Sequence, residues 1–129
     1  MEEIHAKMDA LRTLQDKPLE IDQAEFATAY AEGRTVVDVR EPMEYRAGHV
    51  PGAILMPMRQ VAERAPELPT EEPVYVICAT GNRSQSMTEL LRRAGVEAYS
   101  VLGGTSQWAD AGGEIVVGPH ARAEDAATA

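Results

Sequence analysis

At 129 residues, 44% of them apolar and 26% charged, the chain has material for one domain around one hydrophobic core. A net charge of −9 without any cluster of Lys or Arg argues against a nucleic-acid partner, and no window approaches the roughly 18–20 continuous apolar residues that a membrane span needs. One cysteine excludes an internal disulfide and a cysteine-rich zinc site, and the three histidines, His5, His49 and His120, are too scattered to suggest a metal cluster.

The acidic start, Met1-Glu2-Glu3, lacks the basic flank and apolar core of a secretory signal, so the expected location is the cytoplasm. Residues 1–17 read as a helix, with Ile4, Met8, Leu11 and Leu14 at helical spacing, and Pro18 ends it. Leu19-Glu20-Ile21 reads as a short strand. Asp22 is an N-cap for a helix to about Glu32, with Glu25 completing a capping-box-like pair and Gly33 closing it.

Thr35-Val36-Val37-Asp38-Val39 is a β-branched run suited to a strand buried on both faces. Pro42 begins a short helix to about Ala47. Gly48-His49-Val50-Pro51-Gly52 is turn chemistry, followed by a strand at Ala53-Ile54-Leu55 and a helix from about Arg59 to Ala65. Val74-Tyr75-Val76-Ile77-Cys78 is the second buried strand. A helix then runs from about Arg83 to Ala94, Ala98–Val101 forms a further strand, and Gly103-Gly104 opens a last short helix through Trp108. Strands alternating with helices imply a parallel sheet with helices on both faces, whose ligands bind at the carboxyl ends of the strands. Cys78 sits at such an end.

The segment Cys78-Ala79-Thr80-Gly81-Asn82-Arg83-Ser84 carries the chemistry. A thiol leaves a buried strand just before a helix begins, and Gly81 is free to take positive φ. The loop can therefore curl until successive N–H groups point inward, joined by the unpaired donors of the helix N-terminus. Ser84 or Asn82 is expected to cap that terminus. A sulfur in such a ring becomes a thiolate: lowering its pKa from about 8.5 to about 6.5 raises the ionised fraction at pH 7 from roughly 3% to roughly 75%. Arg83 adds a fixed positive charge for an oxyanion, so the site can be locally electropositive in an acidic chain. The competing reading is a buried structural cysteine.

Several segments together resemble the rhodanese family over roughly residues 19–117. They are Val37-Asp38-Val39-Arg40-Glu41-Pro42-Met43-Glu44-Tyr45, Gly48-His49-Val50-Pro51-Gly52-Ala53, the run from Val74 to Ser84, Leu91-Arg92-Arg93-Ala94-Gly95, Val101-Leu102-Gly103-Gly104, and Trp108. The resemblance implies an α/β three-layer sandwich around a five-stranded, mainly parallel sheet. It sets domain limits of 19–118, with an N-terminal helical extension over 1–18 and a flexible tail over 119–129.

The resemblance also implies a reaction. A Cys78 thiolate takes the outer sulfur of a donor such as thiosulfate, and the resulting persulfide passes it to cyanide, a thiol or a protein acceptor, with no other cofactor and no metal. Ala79, Thr80, Gly81, Asn82, Arg83 and Ser84 would form the substrate loop. Cys78 to Arg83 spans six residues, where phosphatases and arsenate reductases that share the cradle generally carry one more. That count favours sulfur over phosphate, and the remaining competitor is a non-catalytic interaction module of the same fold.

Asp38, at the end of its strand, either orients the loop, pairs with an arginine or simply ends the strand. Arg40 either sits at the pocket mouth or makes a surface ion pair with Glu44. His49, in its turn setting, reads as structural. Oligomeric state stays open.

Overall fold

The computed structural model describes residues 14–122. Its strands are β1 (Glu20–Ile21), β2 (Thr35–Asp38), β3 (Ile54–Leu55), β4 (Val74–Ile77) and β5 (Ala98–Val101). The helices are α1 (Gln23–Ala31), α2 (Pro42–Ala47), α3 (Met58–Arg64), α4 (Asn82–Arg93) and α5 (Gly104–Asp110), with a 3-10 turn at Ala65–Glu67. The five strands form one sheet in the order β1-β5-β4-β2-β3, and every pairing is parallel. One antiparallel bridge, His49 to Val116, lies outside it.

Period-two alternation divides the core into two clusters. Val37, Val39, Val74, Val76, Cys78 and Ala98 pack on one face against Val61 of α3 and Leu91 of α4. Val36, Ile77 and Val101 pack on the other face with Phe26 of α1 and Tyr45 of α2, and Trp108 of α5 joins them. This is the three-layer α/β sandwich. Phe26 is fully buried and anchors the second layer, its ring edge-on to Trp108 at 5.2 Å between centroids.

Helix starts follow the chemistry of their first turns. Asp22 caps α1, its Oδ1 accepting from the Glu25 amide at 2.8 Å. Glu41 and Glu44 form a reciprocal capping box at α2, with Pro42 in the first turn. Helix α4 differs from expectation. It begins at Asn82, its N-cap is Gly81 at φ +110°, and no side chain caps it, so neither Ser84 nor Asn82 takes that role. The Gly81 and Ser84 amides instead turn toward the sulfur described below.

Of the helix expected over residues 1–17, residues 1–13 lie outside the described residues. Residues 14–16 are helical, and Arg92 of α4 gathers the chain that follows. Its guanidinium donates to the carbonyls of Leu14, Lys17 and Pro18 at 2.9, 3.0 and 2.6 Å, and to that of Ala98 at 2.8 Å. At the other end, the segment expected to be flexible from residue 119 is tied down as far as Ala121, whose carbonyl accepts from the Gly52 amide at 2.8 Å. Residues 123–129 lie outside the described residues. Among the described residues no helix is long and apolar enough to cross a membrane.

Candidate active site

Strand β4 is central in the sheet, and Cys78 follows directly from it. Continuing the strand's alternation, its side chain falls on the α3/α4 face, at the N-terminus of α4. The Gly81 amide donates to Sγ at 3.1 Å, and Sγ lies 3.4 Å from the Ser84 hydroxyl oxygen. Burial pushes the thiol pKa up. The Ser84 hydroxyl and the backbone amides of Ser84, Gly81 and Thr80 pull it down by more, so the thiol titrates below its ordinary range.

The sulfur therefore occupies the place a capping carboxylate would take. Its hydrocarbon side belongs to the core and its polar side faces donors. Cys78 is only 1% exposed, so access to it is narrow.

Helix α5 fixes the loop from the outside. The Thr105 amide and hydroxyl both donate to the Cys78 carbonyl, at 2.9 and 3.1 Å, and the Ser106 amide donates to the Ala79 carbonyl at 3.0 Å. With those carbonyls held outward, the following amides turn inward. So close an approach requires Gly104: at φ +56°, a Cβ there would lie 2.5 Å from the Cys78 carbonyl oxygen and 2.6 Å from that of Ala79.

The remaining loop residues divide by exposure. Ala79 is half-buried, Thr80 and Asn82 are exposed, and Gly81 and Ser84 are buried. Arg83 does not lie free over the sulfur. Its two terminal nitrogens each donate to a Glu44 carboxylate oxygen at 2.7 Å, which ties α4 to α2. That bidentate pair holds the Glu44 carboxyl down at about 2, against a smaller opposing effect of burial, and raises Arg83.

Asp38 and Arg40 form a second pair, both buried. Arg40 Nε and Nη2 donate to Asp38 Oδ1 and Oδ2 at 2.9 and 2.8 Å, and Nη2 also reaches the Gly48 carbonyl at 2.8 Å. The surface pair between Arg40 and Glu44 is thus corrected: Asp38 takes Arg40, and Arg83 takes Glu44. Arg40 does line a shallow depression of about 240 Å³ beside Ala79, with Glu44, Thr105, Ser106 and Ile115. Cys78 is not among the lining residues.

His49 has a packing role. Its ring stacks on Tyr45 at 3.6 Å, and its nitrogens lie 2.7 Å from the Tyr45 carbonyl oxygen and 2.9 Å from that of His120. Among the described residues no group of three or more His, Cys, Asp or Glu could hold a metal ion.

Two residues of the site were missed from sequence. The Ser100 hydroxyl, fully buried in β5, lies 2.7 Å from that of Ser84. The signal was available: Ser100 is an inward-facing polar residue two positions after Ala98 in a buried strand. Glu44 was considered only as a partner for the wrong arginine.

Comparison with known proteins agrees with this architecture. The family model for the rhodanese-like domain matches residues 22–111. The chain is 36% identical over 96 residues to the uncharacterized protein YqhL of Bacillus subtilis, covering 74% of this chain and 73% of that one. It is 39% identical over 79 residues to thiosulfate sulfurtransferase GlpE of Pseudomonas entomophila, covering 60% of this chain and 72% of the relative. Among solved structures, a rhodanese-related protein from Thermoplasma volcanium superposes with a TM-score of 0.71 at 33% identity, over 76% of this chain and 97% of that one.

Proposed function

The chain belongs to the rhodanese-like domain family, and on that premise we propose that it is a sulfurtransferase that carries sulfane sulfur as a persulfide on Cys78. The observation that carries this reading is the sulfur's polar surround: the Gly81 amide at 3.1 Å, the Ser84 hydroxyl at 3.4 Å, and a thiol pKa lowered despite burial. Such a thiolate needs no separate base.

In the proposed cycle the thiolate attacks the outer sulfur of a donor, a thiosulfate or a persulfide. The donor's S–S bond breaks, and sulfite or a thiolate leaves with the bonding pair. A second nucleophile, a thiol or cyanide, then removes the outer sulfur from Cys78 and regenerates the thiolate. One S–S bond forms as another breaks in loading, and no external oxidant or cofactor is consumed. The amides that stabilise one anionic sulfur also suit the negative terminal sulfur of the persulfide. A reducing compartment such as the cytoplasm fits a lone thiol that must return to the free state each cycle.

The test is intact mass after incubation with thiosulfate or an alkyl persulfide. The expected result is a gain of about 32 Da, one sulfur atom, that is removed by excess thiol and absent from Cys78→Ser. A folded protein that gains no sulfur from either donor would overturn the reading.

A further inference from the structure

Both guanidinium groups at the site are already neutralised. Arg83 has both terminal nitrogens on Glu44, and Arg40 has its side chain on Asp38 and the Gly48 carbonyl. No other cationic side chain lines the depression beside Ala79. What remains for an incoming anion is a set of neutral donors, backbone amides and hydroxyls, and those beside Cys78 face a sulfur that the proposed cycle makes negative. The chain's charge of −9 supplies no attraction from a distance.

Two sulfur donors load this site differently. Thiosulfate brings two negative charges to the thiolate and leaves as a sulfite dianion. A protonated alkyl persulfide, RSSH, brings none: the Cys78 sulfur bonds its outer sulfur, the proton stays on that sulfur, and RS⁻ departs with the bonding pair. An ionised persulfide brings one charge. With Arg40 and Arg83 each paired to a carboxylate, and no other cation lining the depression among the described residues, the difference in charge falls on the barrier for thiosulfate.

We propose that Glu44 sets donor choice at Cys78: by occupying both terminal nitrogens of Arg83, it makes the site select alkyl persulfides over the thiosulfate dianion. This rests on the sulfurtransferase reading above and names the substrate class within it. Glu44 touches neither sulfur nor donor and acts as a positioning residue through Arg83. Its carboxylate also accepts the Glu41 amide at 3.1 Å in the α2 capping box, a bond that Glu44→Gln can keep while losing the charge.

The experiment measures kcat/KM for Cys78 loading from thiosulfate and from 2-hydroxyethyl persulfide, each across a range of ionic strength, in the natural protein and in Glu44→Gln. Freeing Arg83 is expected to raise the thiosulfate value about tenfold, make it fall with added salt where the natural protein's does not, and move the persulfide value by less than about threefold. A purely structural role for Glu44 would shift both donors together, and that outcome overturns the proposal. An unaltered ratio does so as well.

The natural protein supplies a check that needs no variant. Its thiosulfate rate should hold or rise as salt screens like charges, and a marked fall would reveal an uncommitted cation and overturn the proposal. Loading from neither donor would remove the transfer reading and this proposal together. Loading from both with an unaltered ratio would remove only the role of Glu44.

Discussion

The Ser84 hydroxyl stands between two partners, 3.4 Å from the Cys78 sulfur and 2.7 Å from the Ser100 hydroxyl. With the sulfur ionised, Ser84 donates to it and Ser100 donates to Ser84, a chain that uses both serine hydroxyls. Hydrogen bonds to a charged group contribute about 1.5–3 kcal/mol, so Ser84→Ala should slow sulfur loading at neutral pH by roughly tenfold. The midpoint of iodoacetamide alkylation against pH should move up, toward that of an ordinary thiol. Ser100→Ala should move it in the same direction by less. An unchanged midpoint in Ser84→Ala would remove the hydroxyl from thiol activation.

Gly104 tests how far α5 holds the loop. A Cβ there meets two backbone carbonyl oxygens that cannot turn aside, at a φ of +56°. Gly104→Ala should destabilise the fold by about 2 kcal/mol or more in urea unfolding and should also reduce sulfur loading. Gly95, at φ +91° with open space around its Cα, is the control, and Gly95→Ala should cost only about 1 kcal/mol without touching activity. Equal effects from the two would mean that the close contact with the loop is unimportant.

The buried Asp38–Arg40 pair predicts an asymmetry between breaking one partner and replacing both. Asp38→Ala leaves a guanidinium buried with only the Gly48 carbonyl, and it should cost about 3–5 kcal/mol. The double variant Asp38→Leu with Arg40→Met should recover much of that loss. Chemical denaturation of the natural protein, Asp38→Leu, Arg40→Met and the double variant measures the coupling, and simple additivity would show that the pair does not act as a unit.

Acid stability should report on the Arg83–Glu44 pair. The Glu44 carboxyl is held at about 2 when folded and returns to an ordinary carboxyl range on unfolding. Its contribution is therefore fully present above about pH 4.5 and is lost as pH falls toward 2. Both side chains are 36% exposed, so the effect after solvent screening is about 1 kcal/mol or less. Glu44→Gln should be less stable than the natural protein at pH 6 and equally stable near pH 2. A constant difference across that range would refute the linkage.

Strands β2 and β4 were legible because β-branched runs bounded by turn residues leave little choice in a parallel sheet. The loop from Cys78 to Ser84 was legible because a thiol, a glycine and a helix start follow one another within a few residues. Partners were not. Which carboxylate meets Arg83 depends on α2 and α4 approaching across 39 residues of chain, and local spacing ranks Glu44 only against its neighbour Arg40. The cap of α4 was misassigned for a related reason: Ser84 and Asn82 have the right chemistry for an N-cap, but Gly81 already occupies that position in a left-handed conformation. The role of Arg92 in holding residues 14–18 has no local signature at all.

The bonds from Thr105 and Ser106 to the Cys78 and Ala79 carbonyls join parts of the chain 27 residues apart. The cradle is therefore shaped only once α5 has docked. Until then the cysteine has the sluggish nucleophilicity of any thiol in an open polypeptide. On the sulfurtransferase reading, the rate at which Cys78 is alkylated becomes a measure of completed folding.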